Sequence, residues 1–360
     1  MSTPATIADI AARAGVGTAT VDRVLNKRPG VNADTMQRVM QVVAELGAPP
    51  LRGRPRKGDN FRFAYVLPAD ETPFLGLVDR QIAQAAGDFR HQHITEVTHR
   101  LDAADPAQFA AVLAQVAGGE NCEGVALMAP DLPPVKLAIN ELVRSGVHVV
   151  TLFSDVAGSM REAHIGADNR AAGRTAGLLL ARMAQPGAAG GRNTLLLSSQ
   201  ATRLSAEIER RIGFAQVIEE RFPGLRLVRT PDLPADDDGA AKALLCFLKK
   251  GVDPARVAGI YNVGTGSAGV VRALASAGLT GSETGSKPGI GGVAAVVAHD
   301  FTDAHRTLLS TGGLAYVLHQ DIHYCVLTAA RVLRALCENV RGALNVVQPR
   351  IEILTAENLH

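Results

Sequence analysis

A chain of 360 residues with 47% apolar and 20% charged side chains has the composition of a packed globular protein, long enough for a small domain plus one or two larger ones. Its net charge of +2 excludes a uniformly basic or acidic surface but hides an asymmetry: residues 1–60 carry nine Lys and Arg against five Asp and Glu, and the rest carry 28 against 30. No apolar run is long enough to span a bilayer, no apolar core follows a basic start, and the four cysteines (Cys122, Cys246, Cys325, Cys337) show no close pairing, so a reduced, cytoplasmic setting is expected.

Residues 6–46 read as three short helices. Thr6 and Asp9 have capping-box spacing, with the shorter acid in place of Glu. Ile7, Ile10, Ala11 and Ala14 then form an apolar stripe at helical period, and Gly15 stands where a left-handed cap is usual. A second helix starts near Thr18 and buries Val21, Val24 and Leu25; Pro29 and Gly30 break it. Asn32 caps a third helix with Val39, Val43 and Leu46 on its apolar face, ended by Gly47.

Two short helices joined by a tight glycine turn, the second polar on its outer face, make a helix-turn-helix arrangement. Only the N-terminal part of such a second helix enters a major groove. That points Thr18, Ala19 and Asp22 at base edges, with Arg23 one position further round. Thr6, Thr20 and Asn26 complete the candidate DNA-contacting set. The plainer alternative is a three-helix cap that binds nothing.

The stretch TIADIAARAGVGTATVDRVLN, residues 6–26, resembles the N-terminal signature of the lac-repressor family of bacterial transcription regulators. The resemblance implies a DNA-reading head, a hinge, and a sugar-responsive body similar to periplasmic binding proteins. It also implies a homodimer on two-fold related half-sites and, by the family's usual mode, repression. Two positions depart from the pattern. Gly17 stands where the family usually has Ser opening the second helix, and Asp22 where it usually has Ser before the Arg. An acid beside phosphates weakens binding unless it pairs with an arginine or accepts from a cytosine amino group, so base preference does not carry over from relatives.

Residues 48–60, APPLRGRPRKGDN, form a basic linker with almost nothing to bury. Family members commonly place a short hinge helix here, but Pro49, Pro50, Gly53, Pro55 and Gly58 oppose one. Arg52-Gly53-Arg54-Pro55 instead resembles the core of an AT-hook. An extended Arg-Gly-Arg backbone is narrow enough to lie in an A·T minor groove, where both guanidiniums meet enhanced negative potential. The alternative is a solvated basic tether.

From Phe61 onward apolar strands alternate with helices, which predicts α/β architecture: two doubly wound parallel-sheet lobes. With the resemblance, the expected division is a helix-turn-helix domain at 1–47, the hinge at 48–60 and an effector-binding body at 61–360. Within the body the tail is expected to cross back, giving a first lobe of about 61–165 plus 297–322 and a second of about 166–296 plus 323–360.

Ligands of doubly wound sheets sit at the carboxyl ends of strands. Asp70, Thr72 and Phe74 follow the first strand there, and Ser154 and Asp155 follow VVTLF. Arg210 lies in ERRIGF, while Asn262, Asp300 and Gln320 end later strands. The resemblance implies that Arg210, Asn262, Asp300 and Gln320 contact ligand hydroxyls while Phe74 packs on a sugar face. Carboxylate acceptors, a guanidinium fork and amides that both donate and accept suit a neutral polyhydroxylated ligand, a sugar or polyol. Each residue alone could equally be a turn or cap contact.

Gly264-Thr-Gly266-Ser-Ala-Gly269 matches the dinucleotide fingerprint literally, but the nearest acid, Glu283, lies in a Gly/Ser-rich loop and the unit is the last of its lobe, so a tight strand-to-helix turn is the expected reading. His91, His93 and His99 lack partners at metal-ligand spacing. No Walker-type or G-x-S-x-G motif appears. The sequence therefore predicts a non-enzymatic DNA-binding transcription regulator without cofactor or metal, controlled by a small effector between two lobes. A Rossmann-type NAD-dependent enzyme, or a DNA-binding protein with a vestigial cleft, are the alternatives. Replacing Arg52 and Arg54 with Ala is expected to weaken binding most at operators with an A·T-rich centre; equal loss at all sites in a gel-shift series would leave only a basic tether.

Overall fold

Three short helices open the chain in this computed structural model, which describes residues 6–25, 30–46, 60–102, 105–119, 122–184, 191–279, 294–340 and 346–359. Helix α1 spans Ile7–Ala14, α2 Thr18–Leu25 and α3 Ala33–Glu45. Thr6 and Asp9 form the reciprocal capping box, and Gly15 caps α1 at φ 66°. Asn32 accepts from the Thr35 amide to start α3. Ile10, Ala14, Val21, Val24, Val39 and Val43 close a small core of their own. Asn26, Gly47, Arg52 and Arg54 lie outside the described residues.

The body holds two sheets. The first contains β1 (Phe61–Pro68), β2 (Ile94–Leu101), β3 (Gly124–Leu127), β4 (His148–Leu152) and β5 (Ala163–Ile165), ordered β2-β1-β3-β4-β5 and parallel throughout. Helices α4 (Pro73–His91), α5 (Pro106–Gly119) and α6 (Pro133–Arg144) connect them. The second is ordered β11-β10-β9-β8-β6-β7. Its strands are β6 (Thr194–Ser198), β7 (Arg226–Arg229), β8 (Val257–Asn262), β9 (Ala295–His299), β10 (Tyr316–Gln320) and the antiparallel edge β11 (Ile351–Leu354). Its helices are α7 (Asn169–Met183), α8 (Ser205–Arg221), α9 (Asp237–Gly251), α10 (Ser267–Ser276) and α11 (Asp303–Ser310). The expected two-lobed α/β architecture is present. Strand β5, three residues long, is too short to be read from periodicity.

The expected assignment of the tail to lobes is corrected. β9 pairs in parallel with β8, and β10 with β9, so the 297–322 stretch belongs to the second sheet, not the first. The element that crosses back is α12 (Ile322–Cys337). Its apolar face, including Cys325, Val326, Ala329, Ala330 and Leu333, packs with Phe61, Phe63, Tyr65 and Phe89 of the first lobe, and the Tyr65 hydroxyl donates to the Val326 carbonyl at 3.2 Å. The physical reason is sheet pairing: Gly259 faces Ala295, where a Cβ would stand 2.8 Å from the Ala295 carbonyl oxygen, so the neighbouring strand fits against a glycine.

Helices α7 and α8 approach backbone to backbone. A Cβ on Gly173 would lie 1.9 Å from the Arg210 carbonyl oxygen, and one on Gly213 would lie 2.0 Å from that of Arg170. Gly173→Ala is therefore expected to force the pair apart and to lower stability by about 1–3 kcal/mol, as overpacking does. Urea denaturation of the full chain measures this; an unchanged midpoint and slope would contradict the close approach.

Candidate functional site

The strand ends of both sheets face a cavity of about 980 Å³ between the lobes. The first lobe contributes Asp70, Thr72 and Phe74 at the start of α4, together with Phe153. The second contributes Glu207, Arg210, Asp300 and Gln320 from α8, the end of β9 and the end of β10. Asp70 is exposed, Thr72 and Phe74 are half-buried, and Arg210, Asp300 and Gln320 are buried.

Phe74 meets Phe153 edge to face, centroids 5.2 Å apart with an 86° interplanar angle, so an aromatic corner walls the first-lobe side. Phe153 holds φ 58°, an uncommon conformation for an aromatic residue, with its amide donating to the Ile165 carbonyl at 2.9 Å. Thr72 caps α4 by accepting from the Leu75 amide at 3.2 Å.

On the opposite wall Arg210 donates its Nε to Asn169 Oδ1 at 2.7 Å and places Nη1 3.7 Å from Asp300 Oδ2. Asp300 also has left-handed backbone, φ 64°. Three contacts hold it there: its amide donates to Leu318, and its carbonyl accepts from the Thr302 amide and from His305 Nδ1 at 2.6 Å. With Nδ1 donating, His305 Nε2 accepts from the Ser267 hydroxyl at 2.8 Å, and Ser267 in turn accepts from Asn262. Burial lowers the His305 pKa, which suits this neutral tautomer. His299 is driven further down by complete burial, with Arg210 and His305 acting the same way, and receives the Tyr261 hydroxyl. Backbone strain clamped at a cavity wall is the kind of feature that marks binding sites.

Glu207 stands in the first turn of α8, one helical step before Arg210. Burial pushes its carboxyl up to about 7; Arg210 and Arg211 pull the other way, while Asp300 and Asp70 add to the rise. Glu207 Oε2 and Asp300 Oδ1 are both buried without a hydrogen-bond partner.

Six of the nine effector candidates thus share one cavity; three do not line it. Asn262 is fully buried. Its Nδ2 donates to the Gly264 and Thr265 carbonyls and to Ser267, and its oxygen accepts from Ser198 at 3.0 Å, so it is saturated by its own turn. Asp155 is held by Arg161 and Thr151. Ser154 meets the Ser205 hydroxyl at 3.0 Å, and Ser205 donates to the Asp155 carbonyl at 2.7 Å. These two residues join the lobes instead of facing the cavity, because α8 of the second lobe begins directly on them. Phe153, Glu207, His299 and His305 went unread in the sequence. Only the i, i+3 spacing of Glu207 to Arg210 offered a signal.

The glycine turn at 264–269 is packed from within. Gln200 accepts from the Thr265 amide at 3.0 Å, and a Cβ on Gly264 would lie 1.5 Å from Gln200 Oε1. His91 and His93 are exposed and His99 half-buried; among the described residues no group of three His, Cys, Asp or Glu is placed to hold a metal ion. No described helix is long and apolar enough to cross a membrane.

In the head, Thr18, Ala19 and Arg23 of α2 are exposed and Thr20 and Asp22 half-buried, while Val21, Val24 and Leu25 are buried. Thr6 is committed to the α1 cap through Asp9.

A family model described as periplasmic binding protein domain matches residues 63–340, and one described as bacterial regulatory proteins, lacI family, matches residues 6–50. The chain belongs to the periplasmic binding protein domain family and carries a lacI-family head. The HTH-type transcriptional regulator AglR of Rhizobium meliloti is 24% identical over 305 residues, 82% of this chain and 78% of its own. A solute binding protein of an ABC transporter from Burkholderia graminis, solved in complex with D-arabinose, is similar with a TM-score of 0.71 at 17% identity, covering 84% of this chain and 98% of its own. A putative LacI transcriptional regulator from Bacteroides fragilis gives 0.68 at 17%, covering 83% and 98%. These two structures show the shared fold. With a lacI-family head on a periplasmic-binding-protein-like body, the chain is a DNA-binding transcription regulator.

A carboxyl raised above its ordinary 4.5 binds its proton more tightly in the folded than in the unfolded chain. The stability Glu207 contributes is therefore lost as pH rises from its unfolded value through about 7. Glu207→Gln escapes that loss. Its melting temperature relative to the parent is expected to rise between about pH 5 and about pH 8, and a constant difference in thermal melts would contradict the buried-acid reading.

Proposed function

We propose that the regulator is a cytoplasmic, homodimeric repressor whose operator affinity is set by a sugar or polyol held between the lobes. The observation that carries this reading is Asp300: a buried carboxylate with one unpartnered oxygen, beside Arg210 and Gln320, across a cavity from an aromatic corner. Acceptor, fork and amide on one wall suit vicinal hydroxyls, and a flat aromatic face opposite suits the C–H side of a sugar ring. The arabinose complex of the Burkholderia relative, of the same fold, supports the ligand class. Dimerisation is supported by the head's size, since one helix-turn-helix reads one half-site. A cytoplasmic location follows from DNA as the partner. AglR's role supports a regulator, not an enzyme.

In this reading Arg23, Thr18 and Ala19 face DNA, with Thr20 and Asp22 beside them. The effector bridges Phe74 and Asp70 of one lobe to Arg210 and Asp300 of the other. It changes DNA affinity only as far as it binds one lobe arrangement better than the other.

The test is a thermal-shift panel of pentoses, hexoses, polyols and sugar phosphates on the full chain. A specific ligand at a hundred times its Kd adds about 2.7 kcal/mol, an easily seen shift. Asp300→Asn, which tolerates the left-handed backbone, is expected to weaken the hit about tenfold or more and to shift DNA release by the same factor. A blank panel, or an unchanged affinity in the variant, would overturn the reading.

A further inference from the structure

We propose that the effector is an amino sugar or amino-polyol, whose ammonium group docks between Glu207 and Asp300. This rests on the polyol reading of the same cavity and narrows it.

Two buried oxygens of the cavity wall, Glu207 Oε2 and Asp300 Oδ1, have no hydrogen-bond partner. A third such oxygen, on Asp131, lies outside the lining and has Lys136 Nζ at 3.1 Å. Once ionised, both carboxylates only accept, so their orphaned oxygens call for donors brought by the ligand. Leaving them closed off from water without donors is costly.

Charge separates an amine from a hydroxyl as the donor. Asp300 and Asp70 both act on Glu207 across the site, and two guanidiniums, Arg210 and Arg211, act on it in the opposite sense. Both are partly committed elsewhere: Arg210 Nε donates to Asn169 and Arg211 Nη1 to Ser199 Oγ at 3.4 Å. His299 and His305, the two histidines of the lining, are held neutral by burial and add no positive charge. With Glu207 ionised, these three carboxylates outnumber the two guanidiniums by one; the Glu207 carboxyl, raised to about 7, gives up its proton as the ammonium docks, so binding near pH 6.5 releases a proton. The wider lining has the same sign, with seven carboxylates against three guanidiniums.

A neutral polyol would satisfy the orphaned oxygens but leave that charge in a closing cavity. An ammonium supplies three donors and the missing charge together, while a phosphate or carboxylate would add to the excess. Hydroxyls elsewhere on the ligand still meet Arg210 and Gln320, and the aromatic corner of Phe74 and Phe153 still takes the ring face.

Isothermal titration of the full chain near pH 6.5, where amino sugars are protonated, tests this. The probes are D-glucosamine, D-galactosamine and D-mannosamine, each with its parent hexose and its N-acetyl derivative. An amino sugar is expected to bind about tenfold or more tighter than its parent hexose and its N-acetyl form, and Glu207→Gln to collapse that ratio to about threefold or less. Circular dichroism confirms that the variant is folded. Equal affinity for amino sugar and parent hexose would overturn the ammonium and leave the polyol reading standing. A preference that survives in Glu207→Gln would overturn the docking position. Binding by no member of the three sets would overturn the polyol reading and this inference with it.

Discussion

The backbone contact between α7 and α8 governs the cavity wall. At Gly173 and Gly213 each helix lies against a carbonyl of the other, closer than any side chain would allow. Arg210 sits at that contact, and its Nε is drawn to Asn169 in the first turn of α7. Asn169 also donates to the Phe153 and Ala167 carbonyls, in the segment where the chain passes from the first lobe to the second. The helix pair, the crossing segment and the arginine that lines the cavity are thus one mechanical unit. Moving any one of them moves the guanidinium relative to Asp300.

The polar groups around that unit are arranged to stay ready, not to satisfy one another. Arg210 and Asp300 are 3.7 Å apart, close enough to offset each other's charge but longer than a direct hydrogen bond. Such a buried pair says little about stability. Its value lies in positioning a carboxylate with one oxygen left to offer. The chain from Asn262 through Ser267 and His305 to the Asp300 carbonyl keeps the strained turn in place before any ligand arrives. Preorganisation of this kind lowers the cost of binding.

The joint between lobes runs through the same helix. Ser205 opens α8 and donates to Asp155, and the Ala206 amide reaches Ser154 Oγ at 3.4 Å. Further along, the Ala167 amide donates to Gln320 Oε1 at 3.3 Å, so a cavity residue also ties the end of β10 to the crossing. A ligand that draws Glu207 and Arg210 toward the aromatic corner therefore loads the joint itself. That gives the lobes a direct route by which occupancy changes their relative position, without any separate relay.

Much of this was legible in the chain. The capping box of Thr6 and Asp9, the left-handed cap at Gly15 and the alternation of strands and helices are local patterns, set by hydrogen bonds and periodicities a few residues long. The motif around Arg210, and polar residues at strand ends such as Asp300 and Gln320, could be named because strand ends are where doubly wound sheets open. What the sequence could not decide was pairing. β9 and β10 join the second sheet, and α12 returns to the first, because Gly259 accepts a neighbour and because Tyr65, Phe63 and Phe89 need the apolar face of α12. Asn262, Ser154 and Asp155 look like ligand residues in one dimension and prove committed to a turn or to the lobe joint in three. Glu207 shows the reverse. An exposed-looking helix glutamate becomes a half-buried acid with one oxygen sealed from solvent and a raised pKa only between the two lobes, since burial and the charge of distant neighbours are properties of the packed chain alone.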